Sequence, residues 1–326
     1  MSTVDGWNTT PNAYEPRTGR EVKEDGTLFD VPGWREDLLI ATSASVDLAG
    51  RVSTSSPFNL FESKQVNDKQ PLFWDEVTNG TGTSVHNLGE ASVSMSVSSN
   101  ADYVIRQTKQ RFGYQASKVQ EIFLTGVPTE PVANTSMKYG YFNSSTTGPY
   151  TADLDGIYFG HDGTDKYIGI SRNGTEHTKV TQANLSNDTM DSTLTSGAGN
   201  PSGKTFDWDE NQFLYIQFLW LGIDTVRFGC KIDGQLIWFH YEHFENGGLS
   251  STGAYLSTPN HSLRMEVRST GGAITAKHIC GAVNSLGGVE PAGVTRAIDN
   301  GITAVTCGTT LSGILFFRVN SVRPCT

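Results

Sequence analysis

The chain has little of what marks most nucleic-acid-binding, secreted or membrane proteins. Only 24 of its 326 residues are lysine or arginine, against 34 aspartate or glutamate, and the formal net charge is −10. Because binding to phosphates depends on neutralisation by Lys and Arg, this balance argues against a nucleic-acid partner. The N-terminus has neither the basic segment nor the apolar core of a secretory signal, and no apolar run is long enough to cross a membrane. We therefore expect neither a nucleic acid nor a membrane as partner.

Cysteine and catalytic motifs are equally scarce. The four cysteines show no metal-binding spacing, and we expect reduced, structural thiols. Nucleophile elbows, zinc-protease helices and phosphate-binding loops are missing. So is the pair of strand-borne carboxylates of sandwich-type glycosidases, because Glu242 and Glu245 lie three residues apart and would face opposite sides of a strand. The sequence thus predicts a non-enzymatic protein with no cofactor, no metal and no catalytic residue.

What the sequence does contain is glycine, 35 residues of it, and many short strand-like segments between turn formers. Examples are SVSMSV at 92–97, with alternating apolar residues, and the nearly continuous apolar run 213–221, typical of a central strand. Asn173-Gly174 and Asp233-Gly234 indicate tight hairpins. The pattern predicts an all-β fold: an antiparallel two-sheet jelly-roll or concanavalin-A-like β-sandwich with an extended N-terminal arm.

Residues 1–65 differ from the rest because they are polar, rich in turn formers and aperiodic, with one short helix predicted at Arg35–Ala44. Such a segment either binds a partner as an extended arm or wraps its own domain. Its large aromatic residues are candidate assembly anchors: Trp7, Phe29, Trp34, Phe58 and Phe61. The sandwich is expected over residues 66–290, followed by a C-terminal hairpin extension at 291–326.

The stretch 227–244, RFGCKIDGQLIWFHYEHF, holds two histidines three residues apart, which suggests metal chemistry at first sight. A hairpin around Asp233-Gly234 with regular register pairs Phe228 with Phe239 and Val226 with Tyr241 on a core face. His243 then falls on the core side and His240 on the other, so the two cannot share a metal unless a bulge intervenes. The outer face would carry a tryptophan amid charged groups: Trp238, Arg227, His240 and Glu242.

An aromatic ring surrounded by charged groups is a common way to hold a sugar. The structural alternative, which the frequency of structural aromatics in sheets favours, is that Trp238 packs under a loop, the arm or another subunit. The aspartates of DLDG at 153–156 and HDGTD at 161–165 could suggest calcium, but the ligand pattern of a calcium loop is not met. Aspartate before glycine is an ordinary turn former, and turns are expected at both places.

Several long stretches together resemble virion proteins of tailed bacteriophages, especially those of aquatic phages. They include GRVSTSSPFNLFESKQ, PLFWDEVTNGTGTS, YVIRQTKQRFGYQASKVQEIFLTG, GYFNSSTTGPYTADLDGIYF, and STPNHSLRMEVRSTGG with KHICGAV. The resemblance covers residues 50–283, whereas residues 1–49 are less similar to the family.

The resemblance implies a structural role in a phage particle, assembled in the host cytoplasm. The first hypothesis is therefore a capsid decoration or a head- or tail-attached protein that binds other virion proteins through its arm and forms a homo-oligomer, a trimer by preference. The second is an adhesin that binds host surface glycans through the Trp238 face. A polysaccharide-degrading enzyme is the least favoured alternative.

Overall fold

The computed structural model describes residues 57–144, 153–193, 199–245 and 253–288, and three short strands nearer the N-terminus. Strands β1 (Tyr14–Glu15), β2 (Arg20–Val22) and β3 (Leu28–Asp30) form a small antiparallel sheet within the segment for which the sequence predicts an aperiodic arm. The helix predicted at 35–44, the anchors Trp7 and Trp34, the side chain of Phe29 and the C-terminal hairpin lie outside the described residues.

Fifteen strands make up the main body, and in the described residues two of the connections between them contain a short 3₁₀ turn. The strands are β4 (Phe58–Lys64), β5 (Trp74–Asn79), β6 (Thr83–Asn87), β7 (Ser92–Val97), β8 (Tyr103–Thr108), β9 (Val119–Val127), β10 (Thr135–Ser144), β11 (Asp153–His161), β12 (Lys166–Arg172), β13 (Thr175–Thr181), β14 (Gln212–Phe218), β15 (Val226–Ile232), β16 (Gln235–Glu242), β17 (Leu263–Ser269) and β18 (Ile274–Leu286).

These strands make two antiparallel sheets. A seven-stranded sheet has the order β13-β12-β11-β10-β17-β8-β5, and an eight-stranded sheet has the order β16-β15-β14-β9-β18-β7-β6, with β4 paired to β18 as its eighth strand. The predicted fold class, an all-β antiparallel two-sheet sandwich, is confirmed. Within the described residues no helix reaches the length and apolarity of a membrane span.

Alternation along the strands builds one core between the sheets. On the seven-stranded side Tyr139, Tyr141 and Phe159 point inward, and on the eight-stranded side Ile216 and Phe228 meet them. Strand β14 lies between β9 and β15, as its apolar sequence predicts, and is buried on both faces. Both predicted glycine turns form, with positive φ at Asn173-Gly174 and Asp233-Gly234.

The sandwich begins earlier than the sequence predicts, because β4 pairs with β18. The predicted anchor Phe61 is therefore a core residue: it is 7% exposed, and its ring packs near those of Trp74 and Phe112. A side chain already buried in its own domain cannot anchor a partner. Phe58, at the start of the same strand, is 49% exposed and stays available for such a contact.

Candidate ligand-binding face

A bulge in strand β16 decides which side chains share a face with Trp238. The register of β15 and β16 shifts between Phe228 and Gly229, so that Phe228 pairs with His240 and not with Phe239. Gly229 still lies opposite Trp238, as predicted. The predicted pairing of Phe228 with Phe239 is wrong, because Phe239 is the extra residue of the bulge, and everything beyond it changes face.

The bulge removes two predicted residues from the face of Trp238. His240 is 4% exposed, and its Nδ1 accepts the backbone N–H of Ser186 at 3.0 Å. Its Nε2 therefore carries the hydrogen and donates to Glu242 at 3.1 Å. Both side chains lie on the side of Phe228 and Val226, whose side chains belong to the core. The expectation that His240 and Glu242 flank Trp238 is wrong.

The other histidine changes side as well. His243 follows the end of β16, and its side chain is 60% exposed instead of facing the core. Its ring lies parallel to that of Tyr241, with centroids 6.2 Å apart. The two histidines thus occupy opposite sides, as predicted, but with the sides exchanged.

Four aromatic rings lie in successive contact on the outward face of the eight-stranded sheet. From one end, Phe213 meets Phe123 at 5.6 Å between ring centroids, Phe123 stacks on Tyr215 at 4.5 Å, and Tyr215 meets Trp238 at 4.7 Å. Tyr215 is buried, while the other three rings are partly exposed. We call Phe213, Phe123, Tyr215 and Trp238 the aromatic row.

Glycine at position 229 leaves room for the Trp238 ring to contact Tyr215. Phe123, Tyr215, Gly229 and Trp238 are consecutive cross-strand partners on β9, β14, β15 and β16. A Cβ at position 229 would lie 2.8 Å from Cε3 of Trp238. The indole therefore lies over the glycine backbone and reaches Tyr215 across the intervening strand.

A row of polar side chains runs beside the aromatic row on the same strands. Each of these side chains lies two residues along its strand from a member of the line Phe123, Tyr215 and Gly229. The Nε of Arg227 donates to Gln217 Oε1 at 2.5 Å, and Gln217 Nε2 donates to Glu121 Oε1 at 2.8 Å. The Tyr215 hydroxyl donates to the same Glu121 oxygen. The Cζ of Arg227 lies 4.3 Å from the centre of the Trp238 ring. These contacts hold the polar groups and the rings in one fixed arrangement.

At the Phe213 end the row opens into a shallow depression of about 230 Å³. Strands β4 and β18 form its far side. Its walls include Phe123, Phe213, Glu62, Lys64, Cys280 and Ala282. The rings of Phe123 and Phe213 line one side of the depression. An ion pair between Glu62 and Lys64, 3.1 Å apart, lies on the other side and makes its rim polar.

Of the four residues predicted for this face, the structure places Trp238 and Arg227 there. Sequence reasoning missed Phe123, Phe213 and Tyr215, because it considered only one hairpin and the neighbouring strands come from distant parts of the chain. The signal was present in the alternation of EIFLTGV and QFLYIQF, which sends Phe123 and Tyr215 outward once β9 and β14 are paired.

The outward face of the seven-stranded sheet carries a second aromatic set with a different character. Phe142, Tyr158 and Tyr167 form a small buried cluster separate from the main core. Lys138 Nζ lies 4.3 Å from the Tyr158 ring centre, and Lys179 Nζ lies 4.4 Å from that of Tyr167. We call these five residues, with Arg264 and Glu266 beside them, the cation–aromatic face.

The carboxylate of Glu266 on this face is held in its ionised form. Burial acts to raise the pKa of Glu266, but Arg264 at 2.8 Å and Arg268 at 3.1 Å outweigh it, so the pKa lies below its usual value. An ionised carboxylate is not the protonated donor that glycoside hydrolysis needs. Glu266 is thus suited to an ion pair and not to general acid catalysis.

The two aspartate motifs turn out differently. Asp162 of HDGTD forms the predicted turn, accepting the backbone N–H groups of Thr164 at 3.1 Å and Asp165 at 3.0 Å. Burial acts to raise its pKa, but these bonds and Lys179 bring it to about 2.

The turn predicted at DLDG is wrong, because Asp155 lies within strand β11 and accepts the backbone N–H of Ser257 at 2.7 Å. Among the described residues no group of three or more His, Cys, Asp or Glu side chains is arranged to hold a metal.

No model of a known protein family matches the chain, and no curated protein is significantly similar to it in sequence. Solved structures with a related sandwich include a β-glucanase of Bacillus licheniformis (12% identity, 71% of this chain and 98% of that chain, TM-score 0.41). Others are a glycosidic hydrolase (13%, 74% and 100%, TM-score 0.43) and the seed lectin of Lotus tetragonolobus (7%, 69% and 97%, TM-score 0.41). Likeness of this degree carries no conclusion about function.

Proposed function

We propose that this protein is a non-enzymatic binding protein that recognises carbohydrate on the outward face of its eight-stranded sheet. The observation that carries the proposal is the aromatic row: four rings in successive contact, three of them partly exposed, beside the polar row of Glu121, Gln217 and Arg227. Rings bind the apolar faces of sugars, and the polar row, whose three side chains are buried, holds these rings in place.

A glycan array tests this proposal. Wild type is expected to bind a subset of neutral glycans, and Trp238→Ala is expected to lose most of that signal. Val85→Ala is the matched control, because Val85 is 52% exposed on β6 of the same sheet and outside the aromatic row. Absence of glycan binding by wild type, or equal binding by wild type and Trp238→Ala, would refute the proposal.

A second candidate is a structural role in a bacteriophage particle, at the capsid or the tail. The observation in its favour is the sequence resemblance across residues 50–283 to tailed-phage virion proteins. The small N-terminal sheet β1–β3 and the exposed Phe58 ring lie in the segment that would contact other virion proteins. Such a protein is expected to form a homo-oligomer, with a trimer favoured. The two candidates are compatible, since a protein on a particle can also bind host glycans.

Electron microscopy of particles that carry a tagged copy of the chain tests the structural role. The expected result is a label at a fixed position on the capsid or the tail, lost when residues 1–50 are deleted. Purified particles without the label would refute this role, and unchanged incorporation of the deletion variant would refute the arm as its anchor. Light scattering of the free protein measures its mass in solution, which should be three times that of one chain if it forms a trimer.

A further inference from the structure

We infer that the face binds a linear, neutral oligosaccharide chain lying across the strands, from Trp238 to the depression beside β4. This inference rests on the proposed function and adds to it the direction, the length and the charge of the ligand. It follows from how the aromatic row and the depression are placed on successive strands.

The direction follows from the register. Trp238, Gly229, Tyr215, Phe123 and Ala282 are consecutive cross-strand partners, and the last is paired with Glu62 on β4. A line through these positions crosses the sheet perpendicular to its strands. The partly exposed rings of Trp238 and Phe123 lie on this line, and Phe213 lies beside it on β14. The depression continues the line over β18 and β4.

The length follows from the strand spacing. The line runs from β16 over β15, β14, β9 and β18 to β4, which is five strand-to-strand intervals of about 4.8 Å, or about 24 Å in total. We call this line, from Trp238 to Glu62, the track. A single sugar ring covers only a fraction of the track. Several rings in an extended chain are needed to contact Trp238 and the depression at once.

The charge follows from the side chains beside the track. Arg227 is linked through Gln217 to Glu121, and Lys64 pairs with Glu62 at 3.1 Å. Each positive group named here is balanced by a negative one, and the protein as a whole carries a net charge of −10. A polyanionic chain gains nothing from the balanced pairs and is repelled at long range, whereas a neutral chain is not.

Titration calorimetry with linear oligosaccharides of increasing length tests the inference on the wild-type protein. The probes are cello-, malto- and laminari-oligosaccharides of two to eight units, with oligogalacturonides as charged counterparts. Affinity for one neutral series is expected to rise at least ~10-fold from two units to about four or five, and then to level off once the track of about 24 Å is filled. In Phe213→Ala the rise is expected to shrink, because the depression loses one of the rings that line it, while Val85→Ala keeps the rise.

The outcomes separate the inference from the proposed function. Binding of short and long neutral chains with equal affinity, or tighter binding of the oligogalacturonides, would overturn the inference and leave carbohydrate binding standing. Binding of no oligosaccharide here, and of none on the array, would overturn both.

Discussion

Both sheets of the sandwich present aromatic side chains outward, but the rings have different neighbours. On the eight-stranded sheet, rings contact rings, and Phe123, Phe213 and Trp238 remain partly exposed. On the seven-stranded sheet, Tyr158 and Tyr167 lie beneath lysine ammonium groups and are almost fully buried. The same alternation of residues thus leaves rings partly exposed on one side and buried in contacts with charged groups on the other.

The largest expected effect tests the structural character of the cation–aromatic face. Tyr158 is fully buried, and its hydroxyl is 2.6 Å from both Ser171 and Glu176. Tyr158→Ala should lower the free energy of unfolding by about 3–5 kcal/mol, as for other large buried aromatic residues. Urea denaturation measures it, with Trp238→Ala as the comparison, for which about 1 kcal/mol is expected. Equal losses in the two variants would remove the distinction between the faces.

The next effect concerns the charges of the same face. Glu266→Gln leaves Arg264, which is fully buried, without its carboxylate partner, and should cost about 3 kcal/mol. Because the folded-state pKa of Glu266 is lowered, its stabilising contribution is complete above the unfolded value near 4.5, declines as the pH falls below that value, and is lost as the pH falls through the folded-state pKa.

Denaturation of wild type and Glu266→Gln at pH 7 and pH 3 measures this contribution. The gap between the two proteins should narrow at the lower pH, because at pH 3 the carboxyl of Glu266 is neutral in the unfolded wild-type chain, which favours unfolding, whereas the glutamine of the variant binds no proton. A gap of the same size at both values would contradict the assignment of Glu266 as an ionised partner.

A smaller expected effect on stability than those on the cation–aromatic face concerns the aromatic row. In Gly229→Ala the new methyl group would lie 2.8 Å from the Trp238 ring and 2.9 Å from the carbonyl oxygen of Ile237. The ring must tilt away from Tyr215, at a cost of about 1–3 kcal/mol. Oligosaccharide affinity should fall several-fold even though no ring is removed. A variant with native affinity would show that the placement of the indole over Gly229 is not needed for binding.

The sequence was sufficient for the fold class because both of its signals are local. Alternation along SVSMSV and glycine at Asn173-Gly174 and Asp233-Gly234 depend on neighbours in the chain alone. The early start of the sandwich was missed since β4 owes its state to pairing with β18, more than two hundred residues later. A strand at the end of a polar segment has no local feature that reveals such a partner.

The candidate face was predictable only in part, for two physical reasons. Placing Trp238 opposite Gly229 needs only the turn at Asp233-Gly234, and that part is correct. The bulge at Phe239 arises from tertiary packing, where this ring enters the core beside Phe159 and Phe206, and it reverses the side of His240 and every later residue. The rest of the row comes from β9 and β14, whose order in the sheet follows from the whole topology and not from any one segment.

The most direct test of carbohydrate binding on the aromatic row is titration calorimetry of wild type and Trp238→Ala with cellohexaose, maltohexaose and laminarihexaose. Wild type should bind at least one of the three, and Trp238→Ala should bind it about 30-fold more weakly, as expected when a central aromatic contact worth about 2 kcal/mol is lost. Val85→Ala should match wild type. Equal affinities for wild type and Trp238→Ala, or no binding of any of the three by wild type, would contradict the account.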